Sequence, residues 1–215
     1  MTARDMTRSG DPHRIASQDA LRALYPDLPG DTSLAKETDH VHPLYRPFIE
    51  ASPFVLLGTQ GADGLDSSPR GDAPGFVQIA DERTLLLPDR RGNNRIDSLR
   101  NVIDRPQVSL LFLIPGCNEA LRVMGEAHIS VAPELLARCA HGNTLPRSVL
   151  VIAVRRVFFQ CGRAVIRSRL WQAEQQVERA TLPSIGSVLQ TLSASRIDGG
   201  AYDAELPARQ QRTLY

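Results

Sequence analysis

The sequence has little cysteine, little aromatic surface, no excess of charge of either sign and no long apolar run, and each shortage closes a class of function. Cys117, Cys139 and Cys161 make an odd, scattered set that fits neither a disulfide framework nor a paired-cysteine zinc site, so three reduced, mostly buried thiols are expected. Lysine and arginine number 25 against 24 acidic residues, a net charge of +1, which leaves no global field for nucleic acid or an anionic membrane. Aromatics at 5% are too few to suggest the stacking platforms of a single-strand binder. The longest apolar runs, "LLFLI" and "VLVIAV", are far too short to span a bilayer, and the first 30 residues lack the apolar core of a signal peptide. A soluble cytoplasmic protein with neither nucleic-acid nor membrane partners is expected, and any recognition of an anion must be local.

What is present is enough apolar residue for one substantial core: 42% of 215 residues. A polar opening that frays, then "IASQDALRALYP" with Leu21, Leu24 and Tyr25 at helical spacing and Ser17 as cap, reads as an extension over residues 1–40 with a short helix. The main domain is expected over 41–195, with a tail over 196–215. "PLYRPFIEASP" predicts a helix between Pro43 and Pro53. From Phe54 the pattern becomes short apolar runs broken by turn residues: "FVLLGT", "LDSSPR", "GFVQI", "TLLLP", "QVSLLFLIP", "EALRVMGEAHIS" and "SVLVIAVRRVFF". That rhythm predicts an antiparallel sheet or barrel. Continuous apolar stretches such as "TLLLP" imply strands covered on both faces, by a barrel interior or by a partner subunit. "DSLRNVID", "PELLARCA", "CGRAVIRSRLW" and "SIGSVLQTL" predict short helices between and after the strands, which makes the fold α+β. The apolar stripe Ile185, Val188, Leu189 and Leu192 on the last of these must pack on something.

Two polar loops, "SSPRGDAPG" at 67–75 and "PDRRGNNR" at 88–95, flank the strand pair formed by Phe76–Ile79 and Thr84–Leu87. A hairpin there places both loops at one end of the sheet and brings Arg70 towards Arg90 and Arg95. Gathered guanidinium groups repel unless an anion neutralises them, and their forks match phosphate bidentately. The helix predicted from Asp97 adds its N-terminal dipole, offset in part by Asp97 itself. The bland alternative is that Asp72 and Asp89 pair with these arginines in a surface network worth little. Neither loop has the spacing of a triphosphate cradle or a dinucleotide fingerprint, and "RGD" as an adhesive signal is out of place in a cytoplasmic chain. His40 and His42 lack the further ligands a metal site needs, so no metal is expected.

The ordered segments "SPFVLLGTQGADG", "SSPRGDAPGFV", "LLLPDRRGNNRIDSLRNV", "SLLFLIPG", "EALRVMGEA" and "CGRAVIRSRLW" resemble the pyridoxamine 5′-phosphate oxidase-like flavoproteins. More narrowly, they resemble the branch of FMN-dependent proteins built around Ser-Pro-Arg-Gly-Asp. The resemblance implies a split β-barrel with flanking short helices, a homodimer and FMN at the subunit interface. It implies that Ser68, Pro69, Arg70, Gly71 and Asp72 run along the flavin ring and ribityl chain, with Pro88, Asp89 and Arg90 continuing that wall. It gives Asn93, Asn94 and Arg95 to the phosphate, Arg122 to the ring or phosphate, and Arg167, Ser168 and Trp171 to a late segment that reaches the flavin from the partner subunit. Relatives carry Glu-Thr-Leu-Arg where this chain has "EALR", an asparagine at Met124 and a histidine at Gln160, departures that bear on substrate choice more than on flavin binding.

The function so implied is an FMN-dependent oxidoreductase acting on a small-molecule substrate or electron donor, with no side chain assigned as acid or base. The alternative is a flavin carrier or sensor without turnover. Deazaflavin or haem could take the place of FMN in a barrel of this build. Within "PDRRGNNR" the three arginines divide: Arg95 for the phosphate, Arg90 for the wall, Arg91 facing water.

Overall fold

The computed structural model describes residues 11–62 and 64–215, so the expected fraying of the first ten residues lies outside it, as does Asp63 in the turn "QGADG". The described residues fall into two compact units that divide between Lys36 and Glu37. In the first, α1 (Gln18–Leu24) is capped by the Ser17 side chain, which accepts from the Ala20 N–H, and α2 (Asp31–Leu34) follows Gly30.

The second unit is α+β, an antiparallel split β-barrel with flanking helices. After α3 (Arg46–Ala51) come β1 (Phe54–Gly61), β2 (Gly64–Gly71), β3 (Gln78–Asp81) and β4 (Thr84–Pro88). Then follow α4 (Asp97–Asp104), β5 (Gln107–Leu113), β6 (Ala120–Ser130), α5 (Pro133–Arg138) and β7 (Val149–Gln160). The sheet order is β2-β1-β5-β6-β7-β4-β3, and every pair is antiparallel. Alternation decides which face is inside: Val55 and Leu57 of β1, Val108, Leu110 and Phe112 of β5, and Leu121 and Val123 of β6 all point into one core.

β4 is the strand that alternation cannot explain, since Leu85, Leu86 and Leu87 are all buried. Leu85 and Leu87 enter the main core, whereas Leu86 joins Cys139 and Val149 under Leu135 and Leu136. The second face is thus covered by the chain's own α5, with no partner subunit needed there. Cys139 is the only buried thiol of the three; Cys117 is half-buried and Cys161 exposed, contrary to the expectation of mostly buried thiols.

Between Met124 and Gly125 the β6–β7 register shifts, so that Gly125 faces Val154 and Arg155 is the extra residue. A Cβ at Gly125 would collide with the Ala153 carbonyl oxygen and press on Ile152. Gly125→Ala should therefore cost on the order of 1–3 kcal/mol in urea denaturation; an unchanged midpoint would show that the bulge yields freely.

Beyond β7 lie α6 (Arg163–Ser168), α7 (Ile185–Leu192) and α8 (Gly199–Arg212). The sequence predicts a tail after 195, and two glycines and Pro207 hide α8 there; its start is set by Asp198, whose carboxylate accepts from the Ala201 N–H. α7 packs on α8 with Gly186 and Gly199 in close contact, and the Asp203 carboxylate accepts from the Gly186 N–H at 2.7 Å. Ile185, Val188 and Leu192 stay exposed at 46%, 40% and 81%, so the predicted stripe is only partly covered within the chain. No described helix is long and apolar enough to cross a membrane.

Candidate functional site

The segment predicted as a polar loop from Ser67 is instead strand as far as Gly71. β2 is an edge strand, a place where Pro69 costs no ladder hydrogen bond. Period two puts Asp66, Ser68 and Arg70 on one half-buried face. Arg70 donates from Nη1 to Ser68 Oγ and to the Pro69 carbonyl.

The opposite wall leaves β4 at Pro88. Because β4 pairs with β7 in the register Pro88↔Val149, the residues before β7 lie beside those after β4, and the Asp89 N–H donates to the Ser148 carbonyl at 2.9 Å. Arg147 Nη1 reaches Asn94 Oδ1 at 3.2 Å. Asn94 and Ile96 hold φ of 60° and 54°, left-handed values that asparagine tolerates better than most residues and that are strained for a β-branched one. These turns carry the chain into α4, which is tied to the sheet by Ser98 Oγ donating to Asp66 Oδ2 at 3.2 Å and Asn101 Nδ2 donating to Thr59 Oγ1 at 3.0 Å.

The two walls enclose a cleft of about 690 Å³, within the range of small-molecule sites. Of the residues named from the sequence, Ser68, Pro69, Arg70, Gly71, Pro88, Asp89, Arg90, Asn93, Asn94 and Arg95 line it together. Five arginines (70, 90, 91, 95 and 147) face three aspartates (66, 89 and 97) around it, so the lining is positive on balance. Arg95 spends part of its charge on Asp97, Nε to Oδ2 at 2.7 Å, with its side chain 75% exposed. Neither Arg70 nor Arg147 closes an ion pair with a carboxylate among the described residues. Burial pushes the Asp89 carboxyl up, and the guanidinium groups of Arg70 and Arg147 offset only part of that rise.

Asp72 stands behind the wall. Its side chain is 2% exposed and accepts Arg90 Nε at 2.7 Å, the Ala73 N–H at 2.7 Å and the Tyr215 hydroxyl at 2.7 Å. Burial raises its pKa, but the hydrogen bonds from Tyr215, Ala73 and Arg90 outweigh that and hold the carboxyl below its ordinary value. The Asp72–Arg90 pair is therefore largely buried and hydrogen-bonded, unlike the weak surface network weighed from the sequence.

Besides Asp72, four named residues do not line the cleft within one chain. Arg122 on β6 lies over the Phe158 ring, 5.2 Å from its centroid. Trp171 donates from Nε1 to the Cys117 carbonyl at 2.6 Å, and Ser168 donates to the Val165 carbonyl within α6. Arg167 is exposed on the same helix. Conversely, Asp66, Ser67, Ser98, Arg147 and Ser148 line the cleft without having been singled out. For Arg147 and Ser148 the missing signal was the β4–β7 pairing, a contact between strands about sixty residues apart that no local pattern announces.

The sequence model described as "Pyridoxamine 5'-phosphate oxidase" matches residues 41–161, more than half of the chain. The chain belongs to the pyridoxamine 5′-phosphate oxidase family. The match takes in all seven strands and both cleft walls, and it stops before α6. Similar solved structures include HupZ of Group A Streptococcus, 21% identical over 54% of this chain and 90% of that one, with a TM-score of 0.44. A candidate pyridoxamine 5′-phosphate oxidase from Lactobacillus delbrueckii is 18% identical over 56% and 95%, with a TM-score of 0.44. A protein from Clostridium acetobutylicum related to general stress protein 26 is 12% identical over 54% and 84%, with a TM-score of 0.41. No curated protein matches the chain.

Proposed function

We propose that the cleft holds FMN and that this family member is an FMN-dependent oxidoreductase of the cytoplasm, acting on a small molecule. The observation that carries the reading is the positive surplus of a cleft of ligand size, in which Arg70 and Arg147 close no ion pair among the described residues and share only the field of Asp89. The donor set fits the group: guanidinium forks for a phosphate, and hydroxyl, amide and backbone groups for a polyol and a polar ring edge.

Arg147 and Arg95, with the amides of Asn93 and Asn94, would hold the phosphate beside the start of α4. Ser67, Ser68 and Arg70 on β2, with Pro88 to Arg90 opposite, would hold the rest. Bound FMN supplies hydride or electron transfer, while the chain supplies orientation and electrostatics. Arg70, or Arg122 if a second copy brings it to the cleft, would favour the form of the ring that carries more negative charge. Arg167, Ser168 and Trp171 would act only as residues brought by a second copy. Ile166 and Leu170, exposed at 60% and 49% in the same segment, are apolar surface suited to such a dimer.

The purified protein should be a yellow dimer whose colour bleaches with dithionite and whose released ligand has the mass of FMN. A colourless protein that added FMN cannot reconstitute would sink the reading, and released deazaflavin or haem would replace FMN in it. If FMN binds but neither NADH nor NADPH reduces it in stopped flow, and no acceptor reoxidises it after dithionite, the protein is a carrier or sensor.

A further inference from the structure

A second cavity, of about 280 Å³, shares Asp89, Arg90, Arg91 and Arg147 with the main cleft, and Tyr215 forms part of its wall. The Tyr215 ring stacks on His141 with centroids 3.7 Å apart and planes 8° from parallel, while its hydroxyl donates to Asp72 Oδ1. His141 is a firm platform: it bridges Thr144 by two backbone hydrogen bonds of 2.9 Å across a two-residue turn, with Gly142 at φ 53°. The segment that delivers Tyr215 is also tied, since α8 is held to α7 at the Gly186–Gly199 approach and its end is closed by Thr213 Oγ1 donating to the Arg209 carbonyl.

Asp72 has two oxygens and three donors. Oδ2 takes Arg90 Nε, and Oδ1 takes the Ala73 N–H and the Tyr215 hydroxyl. Arg90 spends Nη1 on the Cys139 carbonyl at 2.9 Å, which leaves Nη2 for the cleft. The phenol therefore fixes the carboxylate, and the carboxylate fixes the plane of the guanidinium. The titratable and charged groups around the phenol are Asp72, His141, whose Nδ1 is 3.7 Å from Asp72 Oδ1, and Arg90, with Asp89, Arg91 and Arg147 lining the same cavity. The hydrogen bond to Asp72 holds the phenol above its ordinary value, so the donor keeps its proton through the neutral range.

We propose that Tyr215 is a positioning residue of the cleft: stacked on His141 and hydrogen-bonded to Asp72, it locks the carboxylate that aims Arg90 at a bound ligand. The effect on ligand rests on the flavin reading, whereas the lock itself does not. Tyr215→Phe keeps the stack and removes the donor. In ¹⁵N spectra of the full chain without flavin, the Arg90 Nε–H signal, assigned by its loss in Arg90→Gln, should be protected from solvent exchange. In Tyr215→Phe it should exchange several-fold faster.

For FMN, Tyr215→Phe should raise the dissociation constant roughly three- to ten-fold, one hydrogen bond's worth, and should add nothing in the Arg90→Gln background. Unchanged Nε–H exchange overturns the lock. Unchanged FMN affinity, or an equal loss in both backgrounds, overturns its role at the cleft. A wild-type protein that takes no FMN fails the flavin reading alone, and the exchange measurement then decides the lock by itself.

Discussion

Arg147→Ala and Arg70→Ala should each weaken FMN binding by one to two orders of magnitude, more than Arg95→Ala and far more than Arg91→Ala. A hydrogen bond to a charged group is worth about 1.5–3 kcal/mol, and 1.4 kcal/mol is a factor of ten. Arg147 and Arg70 should show most of that amount because neither closes an ion pair in the free protein and only the field of Asp89 draws on them. Arg95 must first surrender part of its contact with Asp97, and its side chain is 75% exposed, so its net gain on binding is smaller. Arg91 is exposed and has no hydrogen bond or ion pair among the described residues. Lysine at 70 or 147 keeps the charge but loses the fork, so it should recover only part of the affinity. Fluorescence quenching of FMN at two ionic strengths is the measurement, since a contact with phosphate weakens with salt. Equal losses at Arg91 and Arg147 would mean that the cleft attracts anions only as a diffuse field.

This ordering differs from the one the sequence suggests, which gives Arg95 the phosphate, and the difference shows what a chain of this kind discloses. Most strand and helix positions from Phe54 to Leu192 follow from apolar rhythm and punctuation, because each is decided within a few residues; the exceptions are the polar end of β2 at Ser67–Gly71 and the start of β3, expected at Phe76 and found at Gln78. The two arginine-bearing segments are recognisable for the same reason: Pro69, Gly71, Pro88 and Gly92 mark where the chain turns or thins. Pairing partners are not decided locally. Arg147 enters the cleft because β7 lies beside β4, and Asp72 leaves it because Arg90 and Tyr215 draw its carboxylate behind the wall. α8 is equally hidden, since two glycines and a proline argue against a helix that the Asp198 cap and packing on α7 sustain. The left-handed Ile96 has no sequence mark at all; its side chain is 48% exposed, and only the geometry shows that the turn before α4 is strained.

Asp72→Asn should be the most destabilising polar substitution near the cleft, by about 3 kcal/mol at pH 7, or roughly 6–12 °C in melting temperature. The substitution keeps the volume and removes the charge, leaving Arg90, whose side chain is only 18% exposed, without its counterion. The Asp72 carboxyl is held below its ordinary value in the folded protein, so its contribution is fully present above the unfolded pKa of about 3.9. That contribution fades as pH falls through the folded value. The gap between wild type and variant should therefore be widest at neutral pH and close on acidification below pH 4. A gap that stays constant to pH 3 would mean that shape and hydrogen bonding, not charge, hold this corner. Replacing both partners, Asp72→Asn with Arg90→Gln, should recover part of the loss, because no unpaired charge then stays buried. The double variant should nevertheless bind FMN less well than wild type, which separates what the pair does for the fold from what Arg90 does for the ligand.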